Sequence, residues 1–289
     1  MVSSTLSVGL SLLATASAHC TLEFLTEATD AYVAAQASGD SSLVTGISVG
    51  NLSYTENEQP ADITKGQLTI PITIDHKRSI HDAENCASFT EIIDASDAHP
   101  YVIGTRILYT EDHQIKQIES IVTDAGDWAF NATGYLYWNA QENWDPIPEE
   151  LRDSREVIQA AGDAYFERFK NESVKVPFGT PCSRLEGGAS TAPLNMTGDS
   201  CTAAGLPSTL VVTDRRYVVD EVMGVVDIFL GFPGLDRSVP DQNMPDSHMF
   251  RVESGEIRYI HTVSSCVTPG CGFNSTIPPT RERRVRRHL

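Results

Sequence analysis

Two histidines late in the chain, His248 and His261, sit on strand-like runs beside polar residues that can serve them. Strand alternation puts His248, Phe250 and Val252 on one face of residues 247–252, and Tyr259, His261 and Val263 on one face of residues 257–263. The same alternation aligns Arg216, Val218 and Asp220 next to Tyr217. If these faces line one apolar cavity, the set is an acid/base kit. Imidazole exchanges a proton near neutral pH, a carboxylate orients it, and a guanidinium stabilises an enolate-like oxyanion. The candidate catalytic residues are therefore His248, His261, Asp220, Tyr217 and Arg216. The competing reading is a buried Arg216 to Asp220 ion pair with two hydrogen-bonded histidines.

Other chemistries lack their patterns. His76, His81, His99 and His113 show no metal-ligand spacing, and the cysteines follow no zinc-ribbon pattern, so no metal is expected. Gly-x-Ser-x-Gly, Walker and dinucleotide-binding signatures are all missing, so neither a serine-hydrolase elbow nor a nucleotide cofactor is expected. His19 at a mature N-terminus would offer a copper brace, but Cys20 follows it and the surrounding pattern is not that of an all-β copper enzyme.

The elements that must carry these residues recur. Helical spacing of Leu22, Leu25, Ala28, Tyr32 and Ala35 predicts a helix over 21–37, and Val157, Ala160, Ala161, Ala164, Tyr165 and Phe169 predict another over 153–170. Strand-like runs follow each helix: 67–74, 78–82, 87–93, 101–109 and 115–122, then 210–213, 217–220, 224–230, 247–252 and 257–263. Three matches keep their order between the halves. Asp30-Ala-Tyr32 recurs as Asp163-Ala-Tyr165, Arg78-x-x-x-Asp82 as Arg216-x-x-x-Asp220, and Glu111-x-x-x-Ile115-Lys-x-Ile118 as Glu253-x-x-x-Ile257-Arg-x-Ile260. In the first half Arg78, Asp82, Tyr54, Tyr109 and Glu119 are the corresponding polar candidates. Glu119 stands where the second half has His261, so the two halves are not chemically equivalent. The recurrence of Arg and Asp in both halves favours a structural role for that pair and shifts the catalytic weight to the histidines.

The long first helix, Gly39-Asp40, Asn51-Leu-Ser-Tyr54 and the strand ending Ile115-Lys-Gln-Ile118-Glu119 together resemble the nuclear-transport-factor-2-like superfamily, in its polyketide-cyclase (SnoaL-like) branch. Ser247-His248-Met-Phe250 through His261 resembles it a second time. Tyr217-Val-Val-Asp220 with Pro245-Asp246-Ser247-His248 is similar to secreted fungal tandem proteins of that superfamily. The resemblance implies an α+β fold of two tandem cone-shaped barrels, each a curved antiparallel sheet wrapped on helices around a pocket. It implies isomerase, dehydratase, cyclase or plain binding roles, and no complete catalytic set of a known member is reproduced.

The expected organisation is a signal peptide at 1–18, a first cone domain at 19–127, an aromatic and proline-rich linker at 128–150, a second cone domain at 151–272 and a basic, disordered tail at 273–289. Residues 1–18 carry no charge and end in Ala16-Ser-Ala18, which suits secretion. Six cysteines remain after that cut, an even number for an oxidising compartment. Six cysteines allow 15 connectivities. A loop stapled by Cys182 and Cys201, worth about 3 kcal/mol, a local Cys266 to Cys271 bridge and Cys20 with Cys86 by elimination form the expected set. Sequons at Asn51, Asn131, Asn171, Asn195 and Asn274 suit a secreted, extracellular glycoprotein. The net charge of −18 becomes −22 over residues 1–280, where 16 bases face 38 acids. Such a body disfavours nucleic acid and anionic lipid, and no later window is apolar enough for a membrane helix. The expected partner is a small hydrophobic metabolite and no cofactor. The alternative is a non-catalytic extracellular ligand-binding or interaction protein.

Overall fold

A computed structural model describes residues 20–191, 201–203, 206–236 and 238–271. The expected signal peptide, His19, the sequons at Asn195 and Asn274 and the arginine-rich tail lie outside them.

Each half begins with a helix. In the first, α1 (Leu22–Ser38) starts where Thr21 accepts the amide of Phe24 at 3.1 Å, and stops at Gly39, whose φ of 69° suits glycine. A short α2 (Ser42–Thr45) leads into β1 (Ser48–Glu56) and β2 (Gln59–Pro60), followed by β3 (His76–Asp82), β4 (Ala87–Asp94), β5 (Tyr101–Tyr109) and β6 (Ile115–Thr123). After α3 (Ala132–Asn139), the second half repeats the plan with α4 (Arg155–Lys170), β7 (Phe178–Glu186), β8 (Ala189–Ser190), β9 (Thr213–Asp220), β10 (Val225–Pro233), β11 (Asn243–Glu253) and β12 (Glu256–Ser264). The result is two tandem α+β sheet domains of the same topology. The strand orders are β2-β1-β6-β5-β4-β3 and β8-β7-β12-β11-β10-β9, with β1 parallel to β6 and β7 parallel to β12.

Two expectations about elements are corrected. Residues 67–74 form a short 3-10 turn (Gln67–Thr69) and a loop, because the carbonyls of Gln67 and Ile70 bond the Gln36 side chain and the Gln67 amide bonds Glu56, which replaces a strand ladder. Residues 210–212 are irregular, and the strand begins at Thr213. Within the aromatic stretch, α3 is an unexpected helix capped by Asn131, which accepts the Gly134 amide at 2.9 Å.

Each sheet uses both faces. One face packs on its own helix, α1 against Ile92, Ile103, Ile107 and Ile118, and α4 against Val226, Ile228, Phe250 and Ile260. Gly162 lets α4 lie close, since a Cβ there would come within 2.8 Å of Ile228. The other faces pack on each other around Ile80, Phe89, Ile121, Val218, Phe229, Met249 and Val263. At this junction the repeated Asp82 and Asp220 cross over. Asp82 accepts the Val219 amide at 3.1 Å, and Asp220 accepts the His81 amide at 2.9 Å.

Three disulfides close the structure: Cys20 to Cys86, Cys182 to Cys201 and Cys266 to Cys271. No helix among the described residues is long and apolar enough to cross a membrane. Asn51, Asn131 and Asn171 are exposed.

Asp82 is fully buried and held in a fork by Arg155 at 2.8 and 2.5 Å. Removing one partner of a buried pair strands the other charge. Arg155→Met is therefore expected to lower unfolding stability by about 3 kcal/mol, measured by urea denaturation, whereas Lys65→Met, from an exposed pair with Asp62, should leave the urea midpoint nearly unchanged.

Candidate active site

The sheet faces divide the expected catalytic set. His248 lies on the helix face of β11, while His261 lies on the opposite face of β12, against the first half. The expectation that both imidazoles line one cavity of the second domain is therefore corrected. Arg216 and Asp220 also face the first half, and only Tyr217 joins His248 on the helix side, where it donates to Asp163 of α4 at 2.8 Å. The physical reason is that alternation groups residues by face without saying which face meets the helix. Here both faces are buried, so apolar neighbours could not decide it.

On the inter-sheet face the charges neutralise one another. His261 bonds Glu91 of β4 through Nδ1 at 2.9 Å and Glu142, just after α3, through Nε2 at 2.5 Å. Arg78 donates to Glu91 at 2.9 Å and to Asn139 at 2.7 Å, and the Trp144 ring covers its guanidinium. On the other side of the junction, Arg216 meets Glu58 at 3.1 Å and Glu119 at 3.0 Å, and Glu119 also receives Arg106. Asp220 bonds the backbone of His81 and Met223, and burial raises its pKa. These groups hold the halves together.

The helix face of the second sheet is different. His248 Nδ1 meets Asp246 Oδ1 at 2.5 Å, and Asp246 Oδ2 accepts the Ser264 hydroxyl. Both His248 and Asp246 are buried. The rings of Phe166, Tyr165, Phe250 and Phe232 surround the imidazole at centroid distances of 5.1, 5.6, 6.0 and 6.2 Å. A carboxylate can only accept, so in this pair Nδ1 is the ring nitrogen that carries a proton. Asp246, Ser264 and Tyr165 were not in the expected set. The Asp246-x-His248 spacing was the available signal, since two residues apart on a strand share a face.

Residues 151–264 match the model of a family described as a domain of unknown function (DUF8021). No curated protein matches the chain. The matched segment runs from just before α4 to the end of β12 and so includes Asp246, His248 and Ser264.

The first half acts as an internal control. In the paired registers Ile103 meets Val122 as Asp246 meets Ser264, and Thr105 meets Ser120 as His248 meets Thr262. Thus Ile103 and Thr105 stand at the places of Asp246 and His248. Tyr32 and Tyr165 correspond as well; in the first half the Tyr32 hydroxyl bonds Thr105 at 2.6 Å, and Thr105 bonds Ser120 at 2.9 Å. The first half also has an open pocket of about 410 Å³ lined by Thr45, Val49, Leu52, Tyr54, Asp62 and Ile63 among others.

The inter-sheet knot has a pH signature. Burial pulls the His261 imidazole pKa down, but the Glu142 and Glu91 carboxylates outweigh it and hold it up at about 9. A raised imidazole pKa contributes stability that is full below about 6.5 and is lost as pH rises through about 9. Burial likewise pushes Glu91 up, but His261 and Arg78 hold it below the usual carboxylate range, so its contribution is lost only in strong acid. Melting temperature is expected to fall between pH 7 and 10 in the native protein. His261→Gln should lower it at pH 7 and flatten that alkaline limb.

Proposed function

We propose that the second half is a cofactor-independent acid/base enzyme, an isomerase, dehydratase or cyclase, acting on a hydrophobic oxygenated small metabolite. His248 is the base and Asp246 its orienting partner, in place of the pair of histidines expected from the sequence. In this reading each sheet closes as a cone around its helix, in the manner of the nuclear-transport-factor-2-like superfamily, and the protein works as a secreted glycoprotein.

The observation that carries the proposal is the comparison of the two halves. The same architecture is built in the first half with Ile103 and Thr105, so the fold does not require a carboxylate and an imidazole at Asp246 and His248. Burying them costs free energy that a purely structural position would avoid. Paired as they are, they place an imidazole whose Nδ1 proton is held by a carboxylate inside an aromatic wall, which suits proton transfer on an apolar substrate. In the proposed step, Nε2 takes a proton from carbon beside a carbonyl. The C–H electron pair moves into the enolate, and the imidazolium, balanced by Asp246, returns the proton at the same or a conjugated position.

Exchange of the methyl protons of acetophenone in deuterium oxide, followed by NMR, tests this chemistry. The native protein should accelerate exchange. His248→Gln and Asp246→Asn should reduce the acceleration by about a hundredfold or more, the second through loss of the tautomer. Native exchange no faster than that of His248→Gln would remove the proposal.

A second reading, ligand binding without catalysis, is favoured by the first-half pocket, whose volume lies in the small-molecule range. Its lining contains no Lys or Arg. It is expected to hold a neutral probe such as N-phenyl-1-naphthylamine, with binding seen as enhanced fluorescence that Leu52→Glu abolishes and His248→Gln leaves unchanged.

A further inference from the structure

Two polar atoms on the helix face of the second sheet make no hydrogen bond among the described residues. Thr262 is 2% exposed, and its hydroxyl is buried without a partner. Arg184 Nε is also buried without a partner, although Arg184 Nη1 reaches the Tyr165 hydroxyl at 3.3 Å. Their positions are set by the registers. Thr262 pairs with His248 on one side and with Glu186 on the other, while Arg184 pairs with Ile260 in the neighbouring row. Both therefore lie on the sheet face that carries the imidazole.

Leaving a buried polar group unpaired costs free energy, and such groups mark places where a partner is supplied from elsewhere. The chemistry of that partner is constrained. Arg Nε is a donor only, and the threonine hydroxyl can donate, so together they ask for an acceptor. The acceptor is neutral, because Glu186, 3.6 Å from Arg184, and Asp246 already place two carboxylates on this face and would repel an anion. The surrounding Tyr165, Phe166, Phe232 and Phe250 suit a flat apolar body.

The two halves again differ at these places. Tyr54 pairs with Ile118 as Arg184 pairs with Ile260, so a phenol in the first half replaces the guanidinium, and Ser120, bonded to Thr105, replaces the unpartnered Thr262. In the first half the polar groups of this face are bonded to one another. In the second half the Thr262 hydroxyl and Arg184 Nε have no hydrogen-bond partner among the described residues.

We propose that Thr262 and Arg184 are the substrate-orienting residues of the second half, and that they receive the oxygen of a neutral aromatic or conjugated carbonyl compound beside His248. The proposal rests on the acid/base reading above and adds the ligand class and the groups that select it. The two donors hold the oxygen on which negative charge grows when the neighbouring carbon loses its proton.

The test uses the full-length protein, with acetophenone and its oxygen-free analogue ethylbenzene as probes in saturation-transfer NMR titrations. Thr262→Val keeps the side-chain shape and removes only the hydroxyl. It is expected to leave the melting temperature unchanged or raised, to weaken acetophenone about five- to tenfold, and to leave ethylbenzene unaffected. Arg184→Lys keeps the charge, loses the Nε donor and should weaken acetophenone in the same direction. A Thr262→Val protein that melts lower while binding acetophenone as before would overturn the proposal, because the hydroxyl would then be structural. Equal binding of the two probes by the native protein, or binding of neither, would also overturn it. His248→Gln separates this proposal from the acid/base reading. It should retain acetophenone binding and lose exchange; retained exchange would remove His248 as the base while the binding data still decide the roles of Thr262 and Arg184.

Discussion

The two sheets bury one face of each against the other, and that shared face carries charges that must find partners across it. Asp82 and Asp220 cap backbone amides of the opposite half. Arg216 reaches Glu119, and His261 is clasped between Glu91 and Glu142. Asp82, Asp220 and His261 are buried, so each of these is stable only while its counterpart remains in place. The repeated Arg-x-x-x-Asp strands are thus the joint between two copies of one architecture.

Assigning those charges to the joint simplifies the functional question. Once His261, Arg216 and Asp220 are accounted for by partners in the other half, what remains is the helix face of the second sheet, where Asp246, His248 and Ser264 bond one another within an aromatic wall. Duplication supplies the contrast that a single domain could not. Two sheets with the same order and registers differ at the same places, and the differences concentrate on charged or unpartnered groups in the second copy. The first copy keeps a hydroxyl ladder there, from Tyr32 to Thr105 to Ser120.

Much of the architecture was legible in the sequence. The helices at 22–38 and 155–170 and the strand at 101–109 follow from periodicity alone, and the repeat from three collinear matches. The strands β1 and β7 were not legible. Gly50 and Asn51 are exposed in the first, Gly179 and Pro181 interrupt the second, and both are held by parallel pairing to a distant strand, which leaves no local pattern. The eight-residue α3 is too short for periodicity to register, with only its Asn131 cap as a clue. At the site, His248 was legible as a residue with chemistry, but its partner was misassigned. Face membership could be read from alternation; which face meets the helix depends on the packing of the whole sheet. Asp246, two residues away, was the nearer partner on that same face.

The central claim is that Asp246 fixes the tautomer of His248 by holding the Nδ1 proton, which leaves Nε2 to act as the base. Long-range proton–nitrogen correlation spectra of the imidazole report the tautomer directly. In the neutral form of the His248 ring the proton is expected on Nδ1. A His248 ring protonated on Nε2 instead, or tumbling between both forms, would contradict it.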